Sequence, residues 1–286
     1  VKKAAAAICL FIFMVGAVRS EAVSRPMIQA TWLWNPWLLV QQQAIVLAFL
    51  EQKQRTDLYL QVDEEVPADV YRAFIRDATA KGIHVYALDG APNWIEHPEE
   101  LARFFRFVAD YNGSVSEEEK FSGVHLDIEP YLHAHWTKQQ PTAIAAYQAL
   151  LLQAKEQAAS LSLPLEVDVP FWYDDVFYHN AYGQGRLADW VIAQTDRVTV
   201  MAYRDTAAAI IDVVKHEMNI AKQYGKQVVI GVETAPTTEG DNVSFFDEGE
   251  AYMTKELAAV QAHYHRTPSF AGIAVHHVEA WGKMRN

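Results

Sequence analysis

The chain has 286 residues, 51% of them hydrophobic and 12% aromatic. That is enough apolar material for one large packed domain and too much for a disordered chain. A formal net charge of −12 argues against a nucleic-acid backbone or an anionic membrane as partner. The single cysteine, Cys9, lies in the N-terminal apolar run, so the chain beyond it offers no disulfide, thiolate metal site or thiol nucleophile.

Lys2 and Lys3 precede an apolar run over Ala4–Ala17, and Ser20-Glu21-Ala22 is a small-x-small pattern. The run is short for a bilayer span and is followed by polar residues, which predicts a signal peptide over residues 1–22. An uncleaved anchor is the alternative. Residues 23–286 are then one domain of a secreted or periplasmic protein, without stable membrane association after cleavage.

Eight strand-like runs follow: Ile28–Asn35, Asp57–Asp63, Ile83–Asp89, Gly123–Glu129, Leu165–Tyr173, Arg197–Asp205, Gln227–Glu233 and Gly272–Trp281. Between them, Leu38–Gln54, Ala68–Ala80, Glu99–Tyr111, Thr142–Ser160, Arg186–Gln194, Ala207–Tyr224 and Glu250–His265 have apolar residues at three- and four-residue spacing, the mark of helices. Pro67 and Pro141 stand at helix starts, and Gly82, Gly113 and Gly225 stand where left-handed caps belong. Strand alternating with helix to eight strands predicts an α/β fold, a (β/α)8 TIM barrel of one domain with its eighth helix missing. An open doubly wound sheet is the alternative. Loops after strands, such as Asp174–Gly185 and Thr234–Glu248, are longer than those before them, which places the functional loops on the C-terminal face.

The fourth run carries the densest chemistry. Val124, Leu126 and Ile128 share one face; His125, Asp127 and Glu129 share the other. Three ionisable groups on one face are unsuited to an ordinary core. Further polar residues end the other runs: Asp63, Asp89, Tyr203 and Asp205, Glu233, then His277 and Glu279, with Asp168 inside the fifth. Any single Asp among them also suits a helix cap. Together they predict a pocket in which repulsion and burial raise at least one carboxyl, giving a general acid beside an ionised partner. Trp32, Trp34, Trp37, Trp94, Trp136, Trp172, Tyr173 and Trp281 crowd the same ends. Aromatic faces beside carboxylates suit sugar rings, although several of these rings are equally suited to filling the seam between barrel and helices.

Ser122-Gly-Val-His125-Leu-Asp127-Ile-Glu129 resembles the fourth-strand signature of family 18 glycoside hydrolases, Asp-Gly-x-Asp-x-Asp-x-Glu. Gly123, Asp127 and Glu129 match; Ser122 and His125 replace Asp. Met201-Ala-Tyr203-Arg-Asp205 resembles the sixth-strand Met-x-Tyr-Asp with one extra residue, while the family's eighth-strand Trp falls near His276 or His277. The resemblance implies a carboxylate-catalysed hydrolase in which Glu129 is the acid, Asp127 steadies a substrate N-acetyl nucleophile, and Tyr203 donates to the reacting sugar. Ile128-Glu129-Pro130 with Glu233 at the seventh strand end also resembles the retaining barrel glycosidases, which implies Glu233 as nucleophile. That displacement needs carboxyls about 5–5.5 Å apart. Substrate contacts are expected from His125, Trp34, Asp63, Asp89, Trp172, Asp205, His277 and Trp281, and no cofactor is called for. Two other readings stay open: a carbohydrate-binding barrel without activity, and a metal-dependent hydrolase with His125, Asp127, Glu129 and His277 as ligands, although no His-x-His or Glu-x-x-His spacing anchors those four.

Overall fold

The computed structural model describes residues 27–285; the expected signal segment 1–22, with Cys9, lies outside the described residues. The chain begins with β1 (Ile28–Leu33), α1 (Trp37–Gln52), β2 (Asp57–Gln61), α2 (Ala68–Thr79), β3 (His84–Asp89), α3 (Pro98–Ser114) and β4 (Gly123–Leu126). It continues with a short α4 (Ala134–Lys138), α5 (Gln140–Ser160), β5 (Leu165–Pro170), a hairpin of β6 (Phe177–Asn180) and β7 (Gly183–Arg186), and α6 (Leu187–Gln194). It ends with β8 (Arg197–Met201), α7 (Ala207–Val213), α8 (Lys215–Tyr224), β9 (Gln227–Glu233), α9 (Glu250–Tyr264), β10 (Phe270–His276) and α10 (Val278–Trp281).

Eight parallel strands, β1 to β5 followed by β8, β9 and β10, close into a barrel in which β10 pairs back to β1. The expected (β/α)8 architecture is therefore present. Period-two alternation sorts its side chains. Leu58, Leu60, Val85, Val124, Leu126, Val167, Val200, Ile230 and Val275 are buried in the layer shared with the helices. Each such side chain contributes about 1.5–3 kcal/mol through burial. The alternate residues Ala30, Trp32, Tyr59, Tyr86, Leu88, Val229 and Ala274 form a second, interior cluster. On α2, Tyr71, Phe74, Ile75 and Ala78 make the buried stripe, with Asp69 in the first turn and Arg76 in the last to suit the helix dipole.

Several boundaries differ from expectation. β4 and β8 end before their functional residues, and after β4 Glu129 takes a left-handed backbone (φ 35°) and leads into a single turn, Pro130–Leu132. The expected helix over Ala207–Tyr224 is broken at Val214, and Gly113 lies inside α3 rather than capping it. The last strand stops at His276, and the eighth helix is the one turn of α10 rather than missing. Trp281 is accordingly not at the barrel mouth. It is buried edge-on to Phe49 of α1, with ring centroids 5.5 Å apart, under the cations of Lys53 and Arg55. No described helix is long and apolar enough to cross a membrane.

Candidate active site

The barrel interior holds a column of alternating charge. At its base, Arg197, the first residue of β8, binds Glu166 of β5 and also donates to the Tyr86 hydroxyl at 3.1 Å. Glu166 Oε2 lies 3.7 Å from Nδ1 of His125, whose Nε2 is 3.0 Å from Oδ1 of Asp168. Asp168 Oδ2 accepts from the indole N–H of Trp32 at 3.0 Å. Burial pushes the His125 imidazole down, but Asp168 and Glu166 outweigh it and bring its pKa to about 9. Burial likewise opposes the charge on Glu166, and His125 with Arg197 holds that carboxyl below the usual range. His125 is therefore a buried imidazolium, stacked at 3.7 Å on Tyr59 and edge-on to Trp32. It is 0% exposed and is not a substrate contact. The expectation failed because its two carboxylate partners come from a neighbouring strand.

Two glycines bring the backbone close enough to build this stack. A Cβ on Gly123 would meet the Tyr86 ring at 2.5 Å. A Cβ on Gly90 would meet the Asp127 carbonyl oxygen at 2.1 Å, at φ +153°.

Above the column stand the carboxyls of the mouth. Asp127 is partly exposed as a residue, yet its Oδ1 is buried without a partner. Burial, then Asp168, then Glu129 push its pKa well above the carboxylate range. Glu129 is raised by burial; its bond from the Tyr131 hydroxyl opposes the rise and Asp168 reinforces it. Three acids this close cannot all ionise, so protons remain on the Asp127–Glu129 pair at pH values where isolated carboxyls have lost theirs. The half-buried Tyr203 phenol is raised by burial and then by the charges of Glu233, Asp168, Asp127 and Glu129, which keeps it a neutral donor.

Glu233 occupies a different position. Oε1 accepts from the backbone N–H groups of Thr234 and Ala235, each at 2.7 Å, and Oε2 lies 2.9 Å from Nδ1 of His276. Trp34 Nε1, which can only donate, is 2.7 Å from Nε2 of the same ring. His276 therefore accepts at Nε2 and donates from Nδ1 to Glu233. Burial opposes the charge on Glu233, but these donors hold its pKa below the usual range. Around Glu129, Tyr131 meets Trp172 at 4.9 Å, and Trp136 and Tyr173 stack at the back of this cluster.

The structure thus gathers Glu129, Asp127, Tyr203, Glu233, Trp34 and Trp172. Others of the expected set lie elsewhere. Tyr86 and Leu88 take the inner face of β3, so Asp89 turns outward; burial raises it to about 6 while it accepts from the Gly90 N–H. Asp63 accepts from Trp37 Nε1 and from the Glu65 N–H, as a turn-stabilising Asp does. Both line a cavity of about 550 Å3 with Arg103, Phe104 and Phe107 of α3, apart from Glu129. Asp205 is half-buried toward α9, where Tyr252 feels its charge. His277 pairs with Glu279 at 2.7 Å, and it is His276 that enters the site. The four proposed metal ligands His125, Asp127, Glu129 and His277 do not converge. Among the described residues, the one set of three whose ligand atoms all lie within 4.8 Å is Glu96, His133 and His135.

Sequence reading counted Asp168 among the pocket residues and Trp32 among the aromatic ones without giving either a role, and it gave none to Tyr131 or His276. Period-two counting from Asp127 finds no cross-strand partner, which explains Asp168. A one-residue ambiguity at the end of β10 explains His276. The spacing His133-x-His135 was available as a signal.

No family model matches the chain, and no curated protein matches it by sequence. Solved structures do. A GH18 chitinase from Pseudoalteromonas aurantia superposes with a TM-score of 0.57 at 14% identity, over 87% of this chain and 93% of that one. A chitinase from Chromobacterium violaceum gives 0.56 at 9% identity, over 89% and 95%. A plant class V chitinase mutant from Cycas revoluta, in complex with (GlcNAc)3, gives 0.56 at 11%, over 88% and 95%. The chain is therefore similar, over almost its whole described length, to the barrel fold of GH18 chitinases.

Proposed function

We propose that the protein is an exported glycoside hydrolase that cleaves glycosides of N-acetylated sugars by substrate assistance. Glu129 is the general acid: it stands at the mouth, its pKa is raised, and it protonates the leaving oxygen. Asp127, kept protonated by burial, Asp168 and Glu129, accepts at its carbonyl oxygen from the substrate acetamido N–H and so orients the acetamido oxygen for attack. Tyr203 donates to the same sugar. The Cycas neighbour's bound (GlcNAc)3 is the motive for the N-acetylated substrate class.

The observation that carries the choice of mechanism is the occupancy of Glu233. Both of its oxygens are bound, by two backbone N–H groups and by His276. A carboxylate so tied is a poor nucleophile, and the substrate's own acetamido oxygen is the better one. The test is hydrolysis of a chromogenic N,N′-diacetylchitobioside and of the matching cellobioside, by wild type and by Glu129→Gln. Turnover of the first only, abolished by the variant, is the expected result. Equal turnover of both, or full activity of the variant, refutes it.

A carbohydrate-binding barrel without turnover has one observation in its favour: the Tyr131 hydroxyl already occupies one oxygen of Glu129. Binding of chitooligosaccharide with no hydrolysis by wild type would select that reading.

A further inference from the structure

Four and six residues beyond the candidate acid, the chain places two donors of a second, separate set. His133 and His135 leave the Pro130–Leu132 turn and open α4, and Glu96 ends the turn Pro92–Ile95 that follows β3. His135 Nδ1 is 2.9 Å from Glu96 Oε1, and His133 Nε2 is 3.4 Å from Glu96 Oε2. The two imidazoles are 5.0 Å apart and nearly perpendicular, at 87°. One ligand atom from each residue fits within 4.8 Å of the others. Ligands at about 2.1 Å from a tetrahedral ion lie about 3.4 Å from one another. The three donors are thus spaced for an ion in their midst with little movement.

We propose that Glu96, His133 and His135 form a binding site for a divalent transition metal, zinc foremost. Two imidazoles with one carboxylate suit zinc, and hard-cation sites for calcium or magnesium use oxygen alone. Three protein ligands leave a fourth position, which opens to solvent because Glu96 is exposed. Zinc on Nε2 of His133 puts that ring's proton on Nδ1, so the long 3.3 Å contact from the His135 N–H is given up. The ion ties the loop after β3 to the loop after β4, the one that carries Glu129 and Tyr131. The site shares no residue with the carboxylate cluster and stands whether or not that cluster hydrolyses anything.

The experiment is a zinc titration of tag-free, chelator-stripped protein in competition with a chromophoric chelator, with metal content read after desalting. One zinc per chain is expected, undisturbed by excess magnesium. His133→Ala, His135→Ala and Glu96→Gln each weaken binding by at least roughly tenfold, the floor set by loss of even a supporting residue. His265→Ala, an exposed histidine at the end of α9, leaves binding unchanged. Zinc raises the Tm of wild type and not that of the His133→Ala/His135→Ala double variant, while the metal-free Tm values of the two agree. Failure of wild type to take up zinc, or equal uptake by all the variants, overturns the proposal.

Discussion

Nε2 of His125 lies 3.0 Å from Oδ1 of Asp168, in an ion pair sealed inside the barrel and stacked beneath the mouth. The pair makes stability depend on pH in a stated direction. His125 is raised from about 6.5 to about 9, so its contribution is complete below the unfolded value and is lost as pH climbs through the folded one. The Tm of wild type should therefore fall as pH rises from about 6.5 through about 9, a window that extends above the range of ordinary His titration. His125→Gln, which keeps bulk but strands two carboxylates, should lower stability at neutral pH by about 3–5 kcal/mol and flatten that dependence. Thermal melts of both proteins across this range check it.

Tyr131 donates to Glu129 and opposes the rise of its pKa. Tyr131→Phe should free the acid to hold its proton longer. The alkaline limb of the kcat/KM profile should move upward, by about one pH unit for a bond of about 1.4 kcal/mol. A limb that moves down, or does not move, contradicts the assignment of that limb to Glu129.

Glu233 holds His276 and two backbone N–H groups. Glu233→Gln should lower stability by about 1.5–3 kcal/mol, since charge-assisted bonds are lost. Its effect on kcat should stay below the roughly 100-fold typical of a lost acid or base. A much larger loss of kcat, with the fold intact, would restore Glu233 as nucleophile.

Gly90 has no room for a side chain, at φ +153° and with the Asp127 carbonyl 2.1 Å from any Cβ. Gly90→Ala should cost at least about 2 kcal/mol and displace the Asp127 backbone. kcat should fall with KM nearly unchanged, because the displaced group acts on the reacting sugar. Steady-state kinetics with a melt on the same preparation tests both effects.

The barrel itself was legible because alternation and helical spacing are local: Val124, Leu126 and Ile128 announce one face, Asp127 and Glu129 the other. Glu129 and Asp127 were legible for the same reason. What was not legible depends on relations between strands. Asp168 matters through Trp32, 136 positions away in sequence, and His276 through Glu233 and Trp34. Asp63 and Asp89 misled because a residue at a strand end can turn either way, and a shift of one position moves it to the other face. Trp281 misled because the final strand stopped five residues early and the residue lies in the one-turn α10 instead.

The column from Arg197 through Glu166 and His125 to Asp168 links the sealed end of the barrel to the open one. Its charges alternate, so neutralising one unbalances the next. Arg197 thus bears on Asp127 only through its neighbours in the column, of which Asp168 is the one whose charge reaches that carboxyl. For the proposed hydrolase, the working pH then depends on the floor of the barrel as well as on the rim.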